Sequence, residues 1–157
     1  MHLRNMWAVD GLYYLGIEKK WDAESATKID QDVWKVMGKI EARRIKKLFG
    51  IDGDDIESMI QALRYSGWTL DLEDKEIIVE KNRAIVRNSK CRVQNTRISK
   101  GLDEFGCKPV RHGFLQSFVK EFNPEIELKC NVCPPDKHPE DLWCEWEFFI
   151  SKQSVKK

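Results

Sequence analysis

The chain has 157 residues, 41% hydrophobic, 34% charged and 10% aromatic, with nine Gly and five Pro, a composition that excludes a disordered or fibrous protein and suffices for one domain with its own core. Its 27 basic and 26 acidic residues nearly cancel, which argues against a protein whose main task is to coat nucleic acid or an anionic membrane. No apolar run approaches the roughly 18–20 residues that span a bilayer, and MHLRNMWAVD lacks the basic segment and apolar core of a secretory signal, so a cytoplasmic location is expected.

From residue 3 to 17, Met6, Val9, Tyr13 and Ile17 recur at helical spacing, which predicts a helix with one buried stripe. Trp21 marks a corner, and Asp22 is placed to cap a long helix over 23–49 whose expected inner face is Ala26, Ile29, Val33, Val36 and Ile40. Gly50 is placed to end it. A third helix over 54–65 opens on acidic residues that suit its positive end and turns Ile56, Met59, Ile60 and Leu63 inward. After Ser66-Gly67 the segments WTLDL, EIIVE and RAIVR read as an antiparallel meander, with turns at 73–75 and at Lys81-Asn82. Residues 91–105 suggest a short helix ended by Gly106. A better marked helix over 110–122 has Val110, Phe114, Phe118 and Phe122 on one side and stops at Asn123-Pro124. A final hairpin pairs EIELKCNV with WCEWEFFIS across CPPDKHPED, and a polar tail follows from 151. The expectation is a single α+β domain over 1–150, helical over 1–66, with N-terminal helices packed on an antiparallel sheet that carries a C-terminal helix and hairpin.

The chemistry concentrates in the second half. All five cysteines, Cys91, Cys107, Cys130, Cys133 and Cys144, lie there, and an odd count without a secretion signal favours free, metal-bound or reactive thiols over a disulfide framework. The sharpest pattern is Cys130-x2-Cys133-x4-His138-x5-Cys144. Two thiolates on a tight turn with a His and a third Cys suit a zinc ion, although small buried thiols beside a proline-stiffened loop are the plainer alternative. Cys91, Cys107 and Cys144 sit where a fold could gather them, and a thiol among them could act as a nucleophile with His112, Arg92 or Arg97 nearby. Asp10, Asp30, Glu41 and Arg43 lie in or beside apolar stripes, where ion pairing is the ordinary role and acid/base work the alternative. Trp7, Trp34, Trp143 and Trp146 read as core, though a Trp-lined cavity would suit an apolar ligand. The run 81–100 carries seven Lys or Arg and no acid. The balanced total charge makes nucleic-acid binding through it a minor expectation, and the test is whether Arg83, Arg87, Arg92 and Arg97 share an open face or pair with acids.

The order Cys91, GLDEFGC ending at Cys107, the helix with His112 and Phe118, Asn123-Pro124, a strand, and a Cys in WCEWEF resembles the L-2-amino-thiazoline-4-carboxylic acid hydrolase-like proteins. More distantly it is similar to the small-molecule-binding domains named after 4-vinyl reductase. WAVDGLYYLG, EARRIKKLFGI and CPPDKHPEDLWCEWEF resemble a prokaryotic branch of that group over nearly the whole chain. The resemblance implies helices and an antiparallel sheet around a small-molecule pocket, with Cys91, Cys107 and Cys144 at the family's cysteine positions. The chain departs from the named families in having Glu140-Asp141 before Leu-Trp and in adding Cys130, Cys133 and His138. The function expected is therefore a small-molecule-binding domain with a Cys-rich, zinc-binding site at Cys130, Cys133, His138 and Cys144. The alternative is a hydrolase of a C–N or C–S bond in a small cyclic amide or thiazoline, with Cys91, Cys107 and His112 catalytic and Arg92 and Arg97 holding the ligand. A homodimer through the long helix is the one protein partnership the pattern suggests.

Overall fold

The protein is described by a computed structural model over residues 1–151; the tail beyond Ser151 lies outside the described residues. Six helices and four strands follow in the order α1 (His2–Lys20), α2 (Ala23–Phe49), α3 (Ile56–Leu63), α4 (Gly67–Asp71), β1 (Asp74–Glu80), β2 (Arg83–Lys90), α5 (Arg92–Ser99), α6 (Cys107–Lys120), β3 (Glu127–Val132) and β4 (Cys144–Phe149). The strands form one antiparallel sheet in the order β1-β2-β4-β3. The α+β class, the long second helix and the closing hairpin agree with the sequence.

Local signals act where expected. The Asp22 carboxylate accepts the Ser25 N–H at 2.6 Å, and Gly50 adopts the left-handed conformation (φ 62°) that ends α2 without a Cβ clash. Asp55 caps α3 in the same way through Ser58 at 2.7 Å. One core joins the helices to the sheet: Ile56, Met59, Ile60 and Leu63 of α3 and Val110, Phe114, Leu115 and Phe118 of α6 meet Ala84 and Val86 of β2 and Trp146 and Phe148 of β4. Burying each large apolar side chain contributes about 1.5–3 kcal/mol. On the other face of the sheet, Arg83 pairs with Glu147 at 2.6 Å and Arg87 with Glu145 at 2.8 Å, a cross-strand ladder between β2 and β4.

Three expectations are corrected. WTLDL is not a strand: the Ser66 hydroxyl accepts the Thr69 N–H at 3.2 Å and starts the short helix α4, which buries Trp68, so the sheet begins at β1. Gly106 does not end a helix; it precedes α6, which starts at Cys107, while α5 has already stopped before Gly101 (φ 69°).

The third correction is the inner face of the first two helices. Ala26, Asp30, Trp34, Gly38, Ala42 and Ile45 point inward on α2, whereas Ile29, Val33 and Val36 are 45–58% exposed. On α1 the buried residues are Trp7 and Tyr14, not Val9 and Tyr13. Close packing decides this. Trp7 stacks on Trp34 with ring centroids 4.8 Å apart, Trp34 meets Phe114 edge to face, and Gly38 lets the α6 backbone approach α2 until a methyl there would drive into the Phe114 carbonyl oxygen. Because that obstacle is backbone, Gly38→Ala is expected to destabilise the protein by roughly 1–3 kcal/mol, read as a lowered urea midpoint with an unchanged slope. An unchanged midpoint would show that α2 and α6 are free to separate.

Candidate functional site

Seven elements line one cavity of about 70 Å³. The space needed for one water is roughly 10–15 Å³, so this one has room for several waters or a small organic molecule. The helical period supplies most of the lining. Trp7 and Asp10 are three apart on α1, Asp30 and Trp34 four apart on α2, and Cys107 and Arg111 four apart on α6. Trp68 of α4, Asn88 of β2, Cys91 before α5, and Cys133 and Cys144 on either side of the closing loop complete the wall. Two latches hold the N-terminus of α6 against it. The Gln94 amide exchanges two 2.8 Å hydrogen bonds with the Phe105 backbone, and the Lys108 N–H donates to the Pro134 carbonyl at 2.8 Å.

Arg111 is the centre of the site, a residue that the sequence pattern alone does not single out. Its side chain is 6% exposed, and its guanidinium carbon lies 5.0–5.9 Å from the rings of Trp68, Phe114, Trp34 and Trp7. Stacking on aromatic faces supports a cation without saturating its donors. Nε and Nη1 are buried and have no hydrogen-bond partner among the described residues. Asn88 Oδ1 and Trp7 Nε1 are unpartnered as well, and both residues line the same cavity. An Arg one turn beyond Cys107, on the side of the helix that carries Val110 and Phe114, was the signal available.

Around it the titratable groups diverge. Burial, then the neighbouring Asp10, pushes the Asp30 carboxyl up to about 7, against the pull of Arg111. Asp10 is raised by burial while accepting the Trp34 indole N–H at 3.1 Å. Among the thiols, Cys133 sits between two neighbours. It hydrogen-bonds to Cys107 and Cys130, which lowers both of their pKa values and raises its own; Arg111 adds a charge and a hydrogen bond at Cys107. Burial pushes Cys91 up to about 11 and raises Cys144 as well.

The expected site residues divide. Cys91, Cys107, Cys133 and Cys144 do line the cavity, whereas His112, depressed by burial and Lys108, is not among its lining residues and lies beside Trp146. Arg92 also lines the cavity but is committed to Asp71 (2.9 Å), and Arg97 binds Glu18 (2.9 Å) and the Asp103 carbonyl (2.7 Å). His138 packs on Trp143 and reaches Glu104 and the Pro139 carbonyl, none of them a thiol. The quartet Cys130, Cys133, His138 and Cys144 is therefore not assembled; Cys133 interacts instead with Cys107 on one side and Cys130 on the other. No group of three or more His, Cys, Asp and Glu side chains among the described residues is arranged to hold a metal. Glu41 accepts the Gly67 N–H at 2.6 Å and Arg43 pairs with Glu121 at 2.7 Å, both structural roles. In the basic run, Arg83, Arg87, Arg92 and Arg97 each pair with an acid rather than sharing an open face. Among the described residues no helix is long and apolar enough to cross a membrane.

The raised Asp30 carboxyl makes stability depend on pH with a definite sign. The folded state holds a proton that the unfolded chain releases near pH 4, so the stabilisation is full below that pH and is lost as pH rises through about 7. His112 acts in the opposite direction, its folded form favouring the neutral ring. Urea titrations from pH 5 to 8 are therefore expected to separate wild type from Asp30→Asn, with the variant gaining on the order of 2–4 kcal/mol relative to wild type across that window. Parallel curves would remove Asp30 as a buried proton holder.

No curated protein matches this sequence. A family model matches residues 1–150, and the chain belongs to that family, DUF6125, a family of unknown function.

Proposed function

We propose that this protein binds a small carboxylate in the cavity, with the Arg111 guanidinium as its receptor. The observation that carries the reading is that Arg111, whose buried Nε and Nη1 have no hydrogen-bond partner among the described residues, lines a space large enough for a ligand. An unsatisfied buried donor costs about 1–3 kcal/mol, more when charged, and a carboxylate oxygen is a strong, charge-assisted acceptor for a guanidinium N–H. Trp7 Nε1 offers a third donor and Asn88 Oδ1 an acceptor, so a carboxylate that also carries a hydroxyl or N–H fits better than a plain one. The tryptophan walls match the apolar remainder. In a thermal-shift series at constant ionic strength, glycolate is expected to raise Tm more than acetate or propionate, and all three shifts are expected to vanish in Arg111→Met. Equal shifts in wild type and variant would place carboxylate binding elsewhere.

A second reading is the hydrolysis of a C–N or C–S bond in a small cyclic amide or thiazoline. It is favoured by Cys107 lining the same cavity as Arg111, at the first turn of α6 where the helix dipole favours a thiolate. Arg111 would then hold the substrate carboxylate, the role expected of Arg92 and Arg97, and Asp30 would stand nearer than His112 for proton transfer.

For a protein partner, we propose a second copy of this chain on the outer face of α1 and α2. Met6, Val9, Tyr13, Ile29 and Val33 form one apolar groove there, each 39–73% exposed. A two-fold axis over it would pair like with like and complete a four-helix bundle. Light scattering is expected to give a dimer for wild type and a monomer for Val33→Asp; a monomeric wild type at high micromolar concentration would sink the idea.

A further inference from the structure

The thiol cluster has a geometry that ligand binding does not use. Residues 130 and 133 are an odd number apart, and in a regular strand their side chains would point to opposite faces of the sheet. The pairing of β3 with β4 is interrupted between them: Cys130 faces Trp146, Val132 faces Glu145, and the register shifts in between. A bulge of this kind inserts one residue and reverses the alternation, which turns Cys133 back to the face of the sheet that carries Cys130. The Lys108 N–H holds Pro134 against the start of α6, which puts Cys107 on the other side of Cys133. Cys133 is fully buried, while Cys130 is partly open on the edge strand and within reach of the Lys108 charge.

We propose that Cys130, Cys133 and Cys107 form a redox-active thiol relay that exchanges with low-molecular-weight disulfides, closing an internal Cys130–Cys133 disulfide. In the first step the Cys130 thiolate attacks one sulfur of the small disulfide; the S–S bond breaks, one thiolate leaves, and Cys130 carries a mixed disulfide. In the second, Cys133 gives its proton to the Cys107 thiolate and attacks the Cys130 sulfur, expelling the second small thiolate. The protein loses two electrons, and the small disulfide becomes two thiol equivalents. Cys107 is a positioning residue: it accepts a proton across an existing hydrogen bond, and Arg111 with the helix N-terminus holds its charge.

The test uses the full chain, freshly reduced, with zinc content measured on the same sample. After treatment with oxidised glutathione, quenching with iodoacetamide and intact mass analysis, wild type is expected to lose two of its five thiols with no glutathione retained, the cross-link joining the peptides of 130 and 133. Cys133→Ser, and Cys133→Ala as a second variant, is expected to trap glutathione on Cys130 and form no internal disulfide. Cys107→Ser is expected still to close the disulfide, but more slowly and with a rate that recovers at higher pH, a signature that a merely structural role would not give. Five unreacted thiols in wild type, an internal disulfide that survives removal of Cys133, or about one zinc per chain that keeps all three thiols from reacting would each overturn the proposal.

Discussion

A guanidinium taken out of water and left with free donors is the constraint around which this structure is arranged. Burying an unpaired charge in a low-dielectric interior is among the most expensive things a fold can do, and Arg111 is tolerated because four aromatic faces surround it and three carboxylates, Asp10, Asp30 and Glu41, act on it through space. The dependence runs both ways. The same burial that isolates the cation drives the Asp30 carboxyl toward its neutral form, so the counter-charge it offers Arg111 is present only when Asp30 is ionised.

The helices are placed by this box as much as by apolar stripes. Trp7, Trp34 and Trp68 come from α1, α2 and α4, and all three must converge on α6 for the rings to reach Arg111. That turns the aromatic and small residues of α2 inward, with Gly38 and Ala42 allowing close approach, and leaves Ile29 and Val33 outside. An apolar face is thereby displaced to the surface, which is why the inner wall of the protein and its proposed dimer face come from the same two helices.

The N-terminus of α6 carries a second concentration of chemistry, which shares Cys107 and Cys133 with the cavity wall. Cys107 begins the helix, Cys133 meets it from the closing loop, and the bulge in β3 adds Cys130. The three thiols differ because their surroundings do: the central thiol gives hydrogen bonds and the outer two receive them. Cys91 and Cys144, half-buried and without a thiol donor, are held toward the protonated thiol by desolvation. Equal residues thus acquire unequal reactivity from hydrogen bonding and desolvation alone.

How much of this was legible in the sequence follows the range of the forces involved. The extents of α1 and α2, the Asp22 cap, the Gly50 stop, the turn at Lys81-Asn82 and the closing hairpin rest on contacts within a few residues, and the sequence by itself determined them and the α+β class. It also located the cysteines and the tryptophans. Which stripe of α1 and α2 faces inward, that WTLDL winds into a helix, that Arg92 and Arg97 are already paired while Arg111 is not, and that Cys107 rather than His138 joins the Cys-x2-Cys thiols were decided only by the tertiary structure. Each depends on the desolvation, charge pairing or close packing of groups far apart along the chain, and those energies exist only once the chain has closed around them.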